Sequence, residues 1–102
     1  SEAQRFWPVY NEHEANIEAI KRRERTEIRA KLMDFDGLSE REAQQLFDDL
    51  LALENRKHEL NIAFLQKMTD VISARKTFLL IKAEEDFKKR LLQEMQQRRR
   101  GQ

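Results

Sequence analysis

The chain has 102 residues, of which 39% are hydrophobic and 38% are charged, and its formal net charge is +1. This length suits one domain, and the near-neutral charge gives no global argument for binding nucleic acid or a membrane. The absence of cysteine excludes a disulfide framework, a zinc–thiolate site and a thiol nucleophile. No apolar run approaches the roughly 20 residues of a membrane span. With two glycines and one proline, the composition favours long amphipathic helices over strands and turns.

The first predicted helix covers residues 1–35. Ser1 and Gln4 have the spacing of a helix cap and its partner, so we expect this helix to begin at the first residue. Pro8 lacks a backbone N–H and predicts a kink near that position. The apolar pattern continues through Ile17, Ile20, Ile28, Leu32 and Phe35. It stops at Gly37, where a glycine can adopt the left-handed conformation that ends helices.

The second predicted helix covers residues 39–69. Ser39 and Glu42 have the spacing of a capping box at its start. Apolar residues then recur at steps of three and four, which indicates one buried face. At about 1.5 Å per residue this helix is about 45 Å long, so the other helices should lie along it.

The third predicted helix covers residues 73–97. Ser73 is a candidate cap, but Lys76 stands where the carboxylate of a capping box would be needed. The apolar face of this helix consists of Leu80, Ala83, Phe87, Leu91 and Met95. Residues 98–102 form a basic tail that should fray.

The two connections are short, so adjacent helices should run antiparallel in an elongated, all-α helical hairpin. Folding about Gly37 places Ile28 opposite Leu46. Folding about Ile72 places Lys57 opposite Phe87 and within reach of Glu84.

Some apolar residues lie off these predicted seams. They are Leu51, Ile62, Leu65, Leu79, Ile81 and Leu92. Exposed apolar patches of this kind usually mark a partner surface. We therefore expect a homodimer, the commonest type of oligomer.

The two histidines are the first candidates for metal binding. His13 with Glu14, or His58 with Glu54, would supply two ligands, whereas a specific site needs three or four. We therefore predict no metal site, with His13 in a helix seam and His58 on the surface.

The sequence does not indicate an enzyme or a nucleic-acid reader. It contains no glycine-rich phosphate loop, nucleophile elbow or metalloprotease helix, so we predict no catalytic residues and no cofactor. The basic stretches at residues 21–25 and 98–100 lack a recognisable docking module and are more typical of solvated helix faces.

The three helix starts form a degenerate repeat. They are Ser1-Glu2-Ala3-Gln4, Leu38-Ser39-Glu40-Arg41-Glu42 and Ile72-Ser73-Ala74-Arg75-Lys76. This repeat resembles the Leu-Thr-x-x-Gln motif of the Spy/CpxP family of periplasmic stress proteins, with Ser in place of Thr. The segments 6–12, 50–64 and 83–87 are also similar to small Spy-like proteins of Bacteroidetes-type bacteria, some of which are labelled sensors of extracytoplasmic-function sigma factors.

The resemblance implies an exported, thin, cradle-shaped antiparallel dimer in the periplasm, with a signal peptide upstream of Ser1. It further implies an ATP-independent chaperone or an envelope-stress sensor subunit that holds unfolded clients or a signalling partner. The surface that we expect to bind them combines basic and apolar residues of the first helix. These are Arg22, Arg25, Ile28, Arg29 and Leu32.

Two alternatives to this function stay open. The first is a structural helical adaptor that binds one folded partner and no unfolded clients. The second is a heavy-metal sensor of the same superfamily, although the chain lacks the histidine clusters of such proteins.

Overall fold

A computed structural model describes the backbone of residues 2–100 and the side chains of residues 2–98. Its elements are α1 (Glu2–Arg23), a π-helical segment (Glu24–Arg29), the single turn α2 (Ala30–Leu32), a 3₁₀ turn (Phe35–Gly37), α3 (Glu40–Val71) and α4 (Ala74–Arg100). We call residues 2–32 the first arm. The described chain is all-α, with three long helical arms and no strand.

The first arm passes through Pro8 without being divided. Pro8 lies inside α1, whose helical bounds extend from Glu2 to Arg23. The helix is continuous there, and the aromatic side chains on either side of the proline contact other rings. Phe6 stacks on Tyr10, and Tyr10 makes an edge contact with Phe64 of α3. Helix α1 is therefore continuous at Pro8, the position of the expected kink.

The irregularity of the first arm lies instead at the π-helical segment Glu24–Arg29. Ile20 and Ile28 are both buried against α3. On a helix with 3.6 residues per turn, eight positions overshoot two turns by about 80°. A π-helical turn is wider and reduces this overshoot, which returns Ile28 to the face of Ile20.

The first arm and α3 form an antiparallel hairpin with a core at each end. The first core cluster contains Ile20, Ile28, Leu46 and Leu53, which confirms the predicted proximity of Ile28 and Leu46. The second cluster contains Phe64, Met68 and Ile72, with Phe6, Val9, Tyr10 and Leu80 packed against it. Met68 is fully buried at its centre.

Helix α4 turns back against the direction of α3, as predicted, but only its first turns pack on the hairpin. It begins beside the start of α1, where Lys76 Nζ lies 2.9 Å from Glu2 Oε1 and the Tyr10 hydroxyl lies 3.4 Å from Glu84 Oε1. These two contacts make the first turns of α4 parallel to α1. Among the described side chains of α4 only Thr77 is buried.

The outer half of α4 extends away from the hairpin. The molecule measures 54 × 39 × 18 Å. Two packed helices are only about 20–24 Å wide, so the 39 Å dimension requires α4 to splay outward. Phe87 is 67% exposed, Lys57 pairs with Glu24 and Glu54, and Glu84 approaches Tyr10 instead. The expected placement of Lys57 opposite Phe87 and within reach of Glu84 is therefore wrong.

The helix starts agree with the predicted caps where the structure describes them. The Ser39 hydroxyl accepts a hydrogen bond from Glu42 N at 3.1 Å, and Glu42 Oε1 accepts from Ser39 N, which completes the capping box. Ser73 Oγ accepts from Lys76 N at 3.1 Å, with no carboxylate to complete a box. Gln4 lies in the first turns of α1, whereas Ser1 falls outside the described residues.

Two helix ends differ from the prediction. Gly37 lies in the 3₁₀ turn, and no glycine in the described chain has a positive φ, so the expected left-handed conformation is wrong. The direction of the chain reverses through Asp34 and Leu38, whose φ and ψ lie outside the helical region. Helix α4 extends to Arg100, past the expected end at residue 97.

Candidate binding surfaces

The end of the first arm carries an exposed surface that is both basic and apolar. We call it the tip surface; it comprises Arg22, Arg25, Arg29, Leu32, Met33 and Phe35. Met33 is 90% exposed, Phe35 is 68% exposed and Leu32 is 47% exposed. Large apolar side chains this open to water are available to a partner.

The arginines of the tip surface differ in their own partners. Arg25 Nη2 lies 3.1 Å from Glu18 Oε1, and both side chains are about half exposed. In the described part of the chain, the side chains of Arg22 and Arg29 form no ion pair. The tip surface therefore presents at least two guanidinium groups without an intramolecular counter-charge.

Ile28 is the one predicted surface residue that the fold places elsewhere. It is 6% exposed and belongs to the core cluster with Leu46. The π-helical segment turns it toward α3, as described above. The exposed apolar component of the tip surface consists instead of Leu32, Met33 and Phe35.

The periodic pattern of the sequence did not identify Met33 or Phe35 as part of this surface. Phe35 continues the helical spacing of Leu32, which suggested a seam position. The helix ends at Leu32, however, and Phe35 enters the 3₁₀ turn, where its side chain points away from the core. Met33 does not belong to an apolar pattern with four-residue spacing, because the positions four residues away are Arg29 and Gly37. The sequence therefore offered no reason to place it on an apolar surface.

An ion pair between the first arm and α3 holds the segment that carries the tip surface in place. Lys57 Nζ lies 2.8 Å from Glu24 Oε1 and 3.3 Å from Glu54 Oε1. The hydrogen bond to Glu24 is the main reason that the pKa of Lys57 is raised, against an opposing effect of burial. This ammonium fixes the π-helical segment, and with it the arginines of the tip surface, on α3.

The opposite end of the hairpin contains an open apolar groove of about 460 Å³ between α1 and α4. Phe6, Trp7, Ile72 and Leu79 line it, and the Glu2–Lys76 ion pair lies at its rim. Trp7 and Leu79 are each more than half exposed. Its lining is mainly apolar and aromatic.

His13 occupies the helix seam that the sequence predicted. Its ring stacks on Phe64 with centroids 4.0 Å apart and ring planes 14° from parallel. Burial lowers the pKa of His13, and the carboxylates of Glu14 and Glu84 partly oppose this. His58 is exposed, as predicted. Within the described residues, no three His, Cys, Asp or Glu side chains converge as metal ligands would.

Tyr10 lies in the same junction of three helices. Its hydroxyl approaches Glu84 of α4 at 3.4 Å. Burial raises the pKa of Tyr10, and the nearby carboxylates of Glu14 and Glu84 raise it further. A tyrosine held in its neutral form beside a carboxylate serves here to join α1 to α4.

No helix within residues 2–100 is long and apolar enough to cross a membrane. Comparison with known proteins gives no relative: no family model matches the chain, and neither a curated protein nor a solved structure does.

Proposed function

We propose that the protein is a Spy/CpxP-like periplasmic stress protein that holds unfolded client chains on the tip surface without using ATP. The observation that supports this best is the exposure of Leu32, Met33 and Phe35 on the same arm as Arg22 and Arg29, whose side chains form no ion pair with any described residue. An unfolded chain offers the same two features in complementary form, namely exposed apolar side chains and scattered carboxylates.

The mechanism follows from the order in which these forces act. Arg22, Arg25 and Arg29 attract acidic segments of a client over distances of about 8–10 Å, the screening length at physiological salt. Apolar contact with Met33 and Phe35 follows at short range. Methionine adapts to many shapes because its side chain is unbranched and polarizable, which suits a surface that binds different sequences.

We expect clients to dissociate from such a surface readily. It offers no deep pocket, so each client side chain loses little conformational freedom and forms few fixed contacts. Binding is therefore weak and reversible, and no nucleotide is needed to drive release. A signalling partner of an envelope-stress sensor subunit would be held by the same contacts.

The experiment that tests this function measures the aggregation of several chemically unfolded client proteins at an equimolar ratio. We expect the wild-type protein to suppress aggregation and Phe35→Ser with Met33→Ser to lose most of this activity. Phe78→Ser is a matched control, because Phe78 is 72% exposed and Phe35 is 68% exposed, but Phe78 lies on α4.

Two outcomes would overturn the proposal. If the wild-type protein leaves the aggregation of every client unchanged, it does not hold unfolded chains. If Phe35→Ser with Met33→Ser suppresses aggregation as well as the wild-type protein does, the tip surface is not where clients bind. Salt dependence is a further readout, since the arginine contribution predicts weaker suppression at high ionic strength.

A further inference from the structure

The first turns of α4 attach it to the first arm, while its outer half stands apart. Lys76 Nζ lies 2.9 Å from Glu2 Oε1. The Tyr10 hydroxyl lies 3.4 Å from Glu84 Oε1. Every described side chain from residue 85 to residue 98 is exposed. Beyond residue 84, the described chain therefore leaves α4 largely open to water.

The outer half of α4 carries an apolar face formed by Phe87, Leu91 and Met95, which we call the α4 face. These side chains are 67%, 47% and 49% exposed, and their four-residue spacing places them on one side of the helix. The same side carries Leu80, which packs against the second core cluster. Because a helix presents one side along its length, the α4 face points toward the hairpin, across the open angle between α4 and the first arm.

The two polar contacts between α1 and α4 share one register. Each joins residues that are 74 positions apart in the sequence. Two parallel helices with the same rise per residue keep a constant offset, so this register predicts which residues would meet farther along. Leu91 would lie beside Ile17. One turn earlier, Phe87 would lie beside His13.

The positions that α4 would meet on α1 can receive the α4 face. Ile17 is half-buried and lies two turns after Tyr10, on the same side of α1. Glu94, at the edge of the α4 face, would come within one residue of Lys21, and both side chains are exposed. Closure would therefore give this carboxylate a cation instead of burying it alone.

Residues 72–73 join α3 to α4 and can act as a hinge. Helix α3 ends at Val71 and α4 begins at Ala74. Ile72 has a φ of −123° and a ψ of 166°, which is an extended conformation. A rotation between these two residues would swing α4 as a rigid body and would break no hydrogen bond within either helix.

We propose that α4 is a hinged arm that closes on α1 in the register of its first turns and thereby covers the α4 face. The hinged arm controls how much apolar surface the chain exposes. In the closed state the last described residue of α4 would reach position 26, so Leu32, Met33 and Phe35 of the tip surface stay open. The proposal therefore goes beyond client binding and does not depend on it.

The chain contains no cysteine, which permits a clean test by disulfide trapping. Ile17→Cys with Leu91→Cys can form a bond only when the arm closes, because two cysteines need Cα atoms within about 7 Å of each other. Ile17→Cys with Lys89→Cys is the matched control, since Lys89 lies on the opposite side of α4 from Leu91. Lys21→Cys with Met95→Cys is a second test pair in the same register, and both of its positions are exposed.

We expect both test pairs to form a disulfide at least about tenfold faster than the control pair, as a regularly visited closed state requires. The product should migrate as a single chain on a non-reducing gel. A mixture of the single variants Ile17→Cys and Leu91→Cys measures any bond between two copies, which should be slower. Far-UV circular dichroism checks that every variant is folded.

Removal of the apolar side chains tests what drives closure. Phe87→Ser, added to either test pair, should slow trapping by about tenfold, because the closed arm buries this ring. Phe78→Ser is the matched control, because Phe78 is 72% exposed and lies on the other side of α4. It should leave the rate unchanged.

Three results would overturn the proposal. Equal rates for the test pairs and the control pair would show that α4 does not close in this register. Equal effects of Phe87→Ser and Phe78→Ser would show that the α4 face does not drive closure. A disulfide that forms only between two copies would assign the α4 face to a contact between chains.

Discussion

Lys57 Nζ lies 2.8 Å from Glu24 Oε1, and this ion pair joins the π-helical segment of the first arm to α3. The side chains of Lys57 and Glu24 are only 28% and 18% exposed, and Glu24 Oε1 is fully buried. A buried carboxylate oxygen is costly unless a cation or a donor compensates it. Lys57 therefore stabilises the packing of the π-helical segment on α3.

We predict that Lys57→Met destabilises the fold by about 1–3 kcal/mol, because it leaves the buried oxygen of Glu24 without a partner. Methionine keeps most of the apolar stem of lysine, so the loss is mainly electrostatic. Urea denaturation at neutral pH measures the change in the free energy of unfolding.

Arg56→Met is the control for Lys57→Met. Arg56 pairs with Glu59, but both side chains are more than half exposed, and such a pair contributes about 0–1 kcal/mol. Adding Glu24→Gln to Lys57→Met should recover part of the loss, since a neutral amide costs less to bury than a charge. Equal effects of the Lys57 and Arg56 substitutions would contradict this account.

The stack of His13 on Phe64 predicts a pH dependence of stability. Burial lowers the pKa of His13 in the folded chain. As the pH falls below about 6.5, the ordinary histidine pKa, the unfolded chain therefore binds a proton more readily than the folded chain. The free energy of unfolding should decrease from that pH down to the folded pKa, with no further loss from His13 below it.

Thermal melts at pH 7.5 and pH 5.5 test this prediction. The difference between the two melting temperatures should shrink in His13→Gln, which cannot titrate. It should persist in His58→Gln, which leaves the stack of His13 on Phe64 intact. A wild-type difference that is unchanged in His13→Gln would show that other groups cause the pH dependence.

Gly37 should tolerate alanine. Its φ is not positive, so an L-residue is not strained there. An added Cβ would lie 2.7 Å from Asp34 Oδ2, but this atom ends a flexible side chain that can move away. We predict that Gly37→Ala changes the free energy of unfolding by less than about 0.5 kcal/mol, since the lower entropy of the unfolded chain offsets the displaced carboxylate.

The same substitution separates two accounts of the turn. A left-handed glycine, which the sequence suggested, would make alanine cost about 1–2 kcal/mol. A loss of that size in urea denaturation would mean that Gly37 adopts a positive φ in solution.

The local parts of the fold could be predicted from the sequence. The Ser39–Glu42 capping box, the single cap at Ser73 and the proximity of Ile28 to Leu46 all depend on short-range spacing and one turn. These features depend on residues close in sequence, so they do not depend on how the rest of the chain packs.

The path of α4 could not be predicted in this way. The short turn at Ile72 correctly suggested that α4 reverses direction, but it also suggested that α4 packs along the length of α3. The structure instead places Phe6 and Tyr10 of α1 against the end of α3, and α4 begins beside α1. The sequence shows that these aromatic residues need burial, but not which helix they cover.

The candidate site was predicted in part. The exposed arginines and Leu32 were identified from charge and composition, but the π-helical segment that buries Ile28 was not. The wider turn allows both Ile20 and Ile28 to pack on α3. No residue type in the sequence predicts such a turn. The exposure of Met33 and Phe35 depends on the helix ending at Leu32, which the sequence did not predict.

The central claim is that unfolded chains bind the tip surface, and hydrogen–deuterium exchange with a bound client tests it most directly. We predict slower amide exchange over residues 22–38 when an unfolded client is added, and unchanged exchange over residues 74–84, where α4 packs on the hairpin. Protection that appears elsewhere and leaves residues 22–38 unchanged would contradict the claim.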